Sequence, residues 1–184
     1  MSAIVSNVES SDRVIGSMRY EPDILAIGLD VVFCGINPAW SAAVAGHNFS
    51  HRSNRFWPAL HLAGFIDECL EPEDEQRLLQ YGCGITVVVR RPTCKAEDVA
   101  TEEFIRAKAD FEAKMRALAP RSIAFLGKRP LSAMTGQASI PWGRQPTPFA
   151  GTLAWVLPNP SGLNRSFTLK ALVAAYAELR MALI

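Results

Sequence analysis

The chain reads as an α/β protein, a three-layer α-β-α sandwich around a central, mostly parallel four-stranded sheet. Three observations predict this. Four short runs, 31–35, 85–89, 122–126 and 153–157, are almost continuously apolar, as strands covered on both faces are. Stretches with helical spacing lie between them, and alternating strands and helices form parallel sheets through crossover connections. The composition, 49% hydrophobic and 20% charged over 184 residues, suits one domain with a substantial core.

Taken in order, residues 1–20 predict a flexible N-terminal extension, and 21–184 a single domain. The opening "MSAIVSNVESSDR" has neither a basic n-region nor an apolar h-region, so no secretory signal is expected. No apolar run approaches the roughly 20 residues of a membrane helix, and the expected address is cytoplasmic. "SNRFWPALHLAGF" sets Phe56, Trp57, Leu60 and Ala63 on one side of a helix that ends at Gly64. Residues 71–81 predict a charged helix with Leu78 and Leu79 near its end and Gly82 as its stop. "TEEFIRAKADFEAKMRALAP" carries a stripe of Phe104, Ala107, Phe111, Met115 and Leu118 before Pro120. The last helix repeats the pattern with Leu169, Leu172, Tyr176, Leu179 and Leu183. Stripes of this kind belong to the core.

Charge and metal-binding residues narrow the function. A net charge of +1 is far from that of a tight nonspecific nucleic-acid binder. Local basic character remains in "HNFSHRSNR", with two histidines and two arginines and no acid, and in "GKRP" and "LNRS". Here His47 and His51 are candidates for phosphate contact. Lys128 of "LGKRP" starts a helix, but the glycine spacing of a phosphate-binding loop is absent. Four cysteines, Cys34, Cys69, Cys83 and Cys94, form no CxxC pair and read as reduced thiols. The three histidines lack ligand spacing, so neither a metal nor a cofactor is expected.

In open α/β sheets, ligands bind beyond the carboxyl ends of the strands. Two loops leave such ends with unusual chemistry: "GINPAW" after the first strand and "PNPSGLNR" after the fourth. Alone, each is turn chemistry, and one leucine in a surface loop is ordinary. Together they fall on one edge of the predicted sheet.

The chain resembles the mismatch-specific uracil/thymine DNA glycosylases of the uracil-DNA glycosylase superfamily. The likeness runs from about Leu29 to the C-terminus and includes "VVFCGINP", "GHNFSHRSNRFWPALHLAGF", "YGCGIT", "RRPT", "LGK" and "WVLPNPSGLNR". It implies a glycosylase of base excision repair that flips a damaged pyrimidine from DNA and hydrolyses its N-glycosidic bond, leaving an abasic site. The implied partner is duplex DNA containing uracil or a mismatch, with single strands a further candidate substrate. The implied protein is a monomer that uses no cofactor.

By position, Asn37 matches the asparagine that orients the hydrolytic water. The implied base pocket holds Gly35, Ile36, Pro38, Ala42, Phe49, Thr93 and Asn159, with the Ile36 N–H facing a uracil oxygen and Phe49 stacking on the base. The implied wedge is Leu163, flanked by Ser161, Gly162, Asn164 and Arg165. Three departures stand out. Val87 occupies a place that is often polar, and Ala39–Trp40 replace a common Gly–Leu pair. Trp40 either walls the pocket or packs on its neighbours. Neither loop carries the carboxylate on which glycoside hydrolysis commonly relies. Slow excision by positioning and electrostatics is the expectation, and a lesion-binding module without catalysis is the competing one. A nucleotide enzyme on a similar scaffold would need a Gly-rich phosphate loop, which is missing.

Overall fold

A computed structural model describes residues 20–184. The expected extension therefore lies outside the described residues except for Tyr20, whose hydroxyl donates to Asn48 Oδ1 at 2.7 Å. The strands are β1 (Val31–Gly35), β2 (Cys83–Val87), β3 (Ser122–Leu126), β4 (Gly143–Arg144) and β5 (Leu153–Leu157). The α-helices are α1 (Trp40–Ala45), α2 (Phe56–Leu62), α3 (Thr101–Leu118), α4 (Arg129–Thr135) and α5 (Leu169–Leu183).

The sheet order is β2-β1-β3-β5-β4, with β2, β1, β3 and β5 parallel and β4 antiparallel to β5. The expected four-stranded parallel sheet is thus present, with a fifth, two-residue strand added at its edge. Side chains alternate across the sheet because strand residues point to opposite faces in turn. Phe33, Ala124, Leu126, Trp155 and Leu157 enter one core with α2 and α5 residues. Cys34, Ile123, Phe125, Ala154 and Val156 enter the other with Phe104, Phe111, Met115, Leu131 and Met134 of α3 and α4. Both faces are covered, which is why the strands carry no polar alternation.

Two boundaries differ from the sequence reading. The second strand covers Cys83–Val87 rather than 85–89, because the ladder with β1 ends at Gly35↔Val87. Residues 72–81 form a 3₁₀ helix, Pro72–Tyr81, rather than an α-helix. With three residues per turn, its Glu75 and Leu78 fall on one inward face, and both are buried.

Among the described residues, no helix is long and apolar enough to cross a membrane. Among them also, no group of three His, Cys, Asp or Glu side chains is placed to hold a metal ion. Cys34 and Cys83 are buried thiols, while Cys69 and Cys94 are exposed.

Candidate active site

Because β1 and β5 both run parallel to β3, the loops that follow them emerge at one edge of the sheet. The first loop is held by main-chain bonds to the segment after β2. Val88 N–H donates to Gly35 O, Val89 N–H to Ile36 O, Thr93 N–H to Pro38 O and Trp40 N–H to Thr93 O, at 2.9–3.3 Å. The β1–β2 seam thus continues beyond the ladder and fixes residues 35–40 as a rigid lip.

Asn37 sits at the centre of that lip. Its Nδ2 donates to Arg91 O and to Thr93 Oγ1, both at 2.8 Å. The Thr93 hydroxyl passes its own proton to Lys95 O at 2.7 Å, so it meets Asn37 as an acceptor. Two acceptors facing one end of the amide fix which end is nitrogen. Oδ1 then has no donor among the described residues and is left to accept from a solvent or substrate group. Among those residues, the Ile36 and Asn37 main-chain N–H groups also find no acceptor. The tip of β1 therefore offers one oriented acceptor beside two unspent donors.

Thr93, expected to touch the base, lies behind Asn37 and is buried. Val87 and Ala42 are buried too, whereas Trp40 is 48% exposed.

The Arg91 carbonyl is itself anchored. Its guanidinium donates to both oxygens of Glu103 on α3, at 2.7 and 3.1 Å, and to Asp98 O at 3.2 Å. The hydrogen bond from Arg91, and then that from Ala100 N–H, hold the Glu103 carboxyl down at about 2. A carboxyl lowered on folding stabilises the fold fully above its unfolded value, near 4.3, and loses that contribution as pH falls toward the folded value. Glu103→Gln should therefore lower the urea midpoint at neutral pH. The gap from wild type should narrow between about pH 5 and about pH 3. A gap of constant size over that range would show that the pair does not carry the effect.

Phe49 approaches from the loop after α1. Its φ of 54° is left-handed, a costly conformation for a bulky side chain and one that surrounding structure must impose. One face of its ring stacks on Phe56, with centroids 4.0 Å apart. The preceding residue supplies the constraint. Buried Glu75 accepts from Asn48 N–H at 2.8 Å and from Asn48 Nδ2 at 2.9 Å, and Asn48 Nδ2 also reaches Pro22 O at 3.1 Å. His47, read as a phosphate contact, instead directs Nδ1 at Glu75, 3.3 Å away. An acid from outside the basic stretch claims it.

The second loop is locked from below. Asn159 Oδ1 accepts from Ser161 N–H, Asn159 O from Asn164 Nδ2, and Ser161 Oγ from Leu163 N–H, at 2.9–3.2 Å. Asn159, assigned to the base pocket, thus spends its side-chain oxygen on shaping this turn. A Cβ on Gly162 would lie 2.6 Å from Ser53 Cβ and 2.7 Å from Ser53 O, so only glycine lets this loop pack against the segment before α2. His51, the other phosphate candidate, turns Nδ1 onto Ser53, leaving Nε2 outward. Leu163 stands at the tip, 77% exposed, with exposed Arg165 beside it.

Arg55 is a brace of the second loop that the sequence reading overlooked. Its side chain donates to the carbonyls of Pro160, Ser161, Asn164 and Phe167. A planar guanidinium suits such a fan of acceptors. These partners lie more than 100 residues along the chain, and no local pattern announces them.

One edge of a mostly parallel α/β sheet thus carries an amide with both donors engaged on one loop and a braced, exposed apolar tip on another. The model of the uracil DNA glycosylase superfamily matches residues 22–180, and the chain belongs to that superfamily. Its members are DNA glycosylases, hydrolases of DNA repair. A candidate uracil DNA glycosylase from Methanosarcina acetivorans, solved by solution NMR, is 20% identical, with 86% of this chain and 96% of that one covered at a TM-score of 0.57. That likeness bears on the fold.

Proposed function

We propose that the protein excises uracil from DNA as a monofunctional, monomeric glycosylase, with guanine mismatches as its context. The observation that carries this reading is the lock on Asn37, whose donors are both spent and whose Oδ1 meets no donor among the described residues. An amide cannot act as a general base at neutral pH, but it can hold a water where an oxocarbenium-like sugar develops. The leaving uracil takes up negative charge, which the unspent N–H groups at Ile36 and Asn37 would stabilise without proton transfer. Phe49, already supported by Phe56 on one face, would receive the flipped base on the other. Leu163 would enter the base step, with Arg165 at the phosphates.

The absent carboxylate favours one other reading, a lesion-binding module without catalysis. Single-turnover cleavage of uracil opposite each base, and in single strands, separates the two. The proposed enzyme cleaves G·U duplex, whereas a binding module retains it on a gel uncut.

Thymine differs from uracil by one methyl group, and a methyl against an apolar wall alters discrimination by only about 1–3 kcal/mol. Ala42, which is buried, would offer no hydroxyl at the pocket wall, and the 48% exposure of Trp40 supports an indole that leaves that space open. Slow excision of thymine or other 5-substituted pyrimidines opposite guanine is therefore expected. Ala42→Ser should change the ratio of G·U to G·T rates in a side-by-side assay. Untouched thymine and an unchanged G·U rate in the variant would remove Ala42 from the pocket.

A further inference from the structure

Among the described residues, Glu75 is the only charged side chain buried from solvent, on the inward face of the 3₁₀ helix. A carboxylate taken out of water loses solvation that hydrogen bonds must replace, and an apolar residue of similar size often stabilises a fold as well. Stability alone therefore does not account for it. Its partners point to a local task. Oε2 accepts from Asn48 N–H at 2.8 Å and from Asn48 Nδ2 at 2.9 Å, while Oε1 faces His47 Nδ1 at 3.3 Å. Asn48 is buried too and has no polar side-chain atom to spare. Its Nδ2 also reaches Pro22 O, and its Oδ1 accepts from the Tyr20 hydroxyl. This knot draws residues 20–22 and the 3₁₀ helix together at Asn48, one residue before Phe49. Among the described residues, the other non-glycine positions at positive φ are the alanines Ala119 and Ala150, so Phe49 alone is bulky there.

We propose that Glu75 is a positioning residue for base excision, which through Asn48 holds Phe49 in its left-handed conformation and so sets the ring before the flipped base arrives. This rests on the glycosylase reading, in which Phe49 carries that base. The carboxylate fixes the main chain on one side of Phe49, and the stack on Phe56 fixes the ring. With Asn48 released, a phenylalanine would return to negative φ, which bulky side chains favour, and its ring would leave Phe56. Excision then falls with the fraction of molecules whose ring is in place.

The test is a double-mutant cycle of Glu75→Ala and Phe49→Ala on the single-turnover excision rate from a G·U duplex, at a temperature where circular dichroism shows each variant folded. Glu75→Ala should lower the rate about tenfold or more, with duplex affinity within about twofold of wild type. Phe49→Ala should lower the rate at least as far, and adding Glu75→Ala to it should cost less than about twofold more. Glu75→Gln keeps an oxygen for both Asn48 donors and should recover most of the rate. Should Glu75→Ala not fold, Asn48→Ala takes its place in the cycle, since it removes the side-chain bonds of the knot and keeps the main-chain one. An equal loss with and without Phe49, a wild-type rate in Glu75→Ala, or a Glu75→Gln rate as low as that of Glu75→Ala overturns the positioning role alone. A wild-type rate in Phe49→Ala removes the stacking ring, and the inference with it. A wild type that leaves the duplex uncut overturns the glycosylase reading on which both rest.

Discussion

Asn37→Ala should lower the single-turnover excision rate by about a hundredfold or more. Duplex affinity should stay within about twofold, because phosphate contacts supply most of it. The alanine removes the oriented Oδ1, so water is no longer held against the sugar. It also leaves Arg91 O and Thr93 Oγ1 without the donor they meet at 2.8 Å. Asn37→Asp supplies a useful contrast. It offers an oxygen, but both partners now face an anion where they accepted hydrogen bonds, so the lip is disturbed electrostatically. An Asn37→Ala rate within a few-fold of wild type would show that this amide does not hold the water.

The second large effect is expected at Arg55. Arg55→Ala removes four side-chain hydrogen bonds at once, leaving the Pro160 and Ser161 carbonyls only their main-chain donors, and hydrogen bonds to a charged donor contribute about 1.5–3 kcal/mol each at most. The second loop should loosen while the core of α2 and α5 stays intact, since Arg55 caps α2 through its main chain and its side chain makes no cap bond. Excision from base-paired uracil should fall by at least about tenfold, and excision from single strands much less, because unstacking costs least where pairing is already lost. Leu163→Ala should show the same selectivity with a smaller change in stability, since the leucine is exposed. Equal losses on paired and single-stranded uracil would mean that Arg55 supports the fold in general rather than the wedge.

The strands at 31–35, 122–126 and 153–157 were legible to the residue, because each is a short apolar run closed by glycine, proline or a charged turn. The second strand was misplaced because Val88 and Val89 are as buried as the ladder residues, at 5% and 7% exposure. Hydrophobicity reports burial, not where hydrogen bonding stops. The two-residue β4 has no apolar signature, and it exists through pairing with β5.

At the candidate site, Asn37 and Leu163 are singled out by the family resemblance, since their motifs alone read as turn chemistry and an ordinary exposed leucine. Their supports are not so singled out. Arg55 looked like one cation in a basic stretch, and Glu75 like one charge on a solvated helix. Each acquires its task only when the fold brings distant backbone to it. The lip and the Phe49 turn likewise depend on contacts 27 to 56 residues apart.

If Asn37 acts by position alone, excision has no titrating base. The decisive measurement is the single-turnover rate on a G·U duplex from about pH 6 to about pH 8.5, with protein in saturating excess so that binding drops out. Measurable cleavage at a rate nearly constant across that range is the expected result. A rate that rises tenfold per pH unit and then levels would reveal a general base and contradict the role given to Asn37. No cleavage at any pH would contradict excision itself.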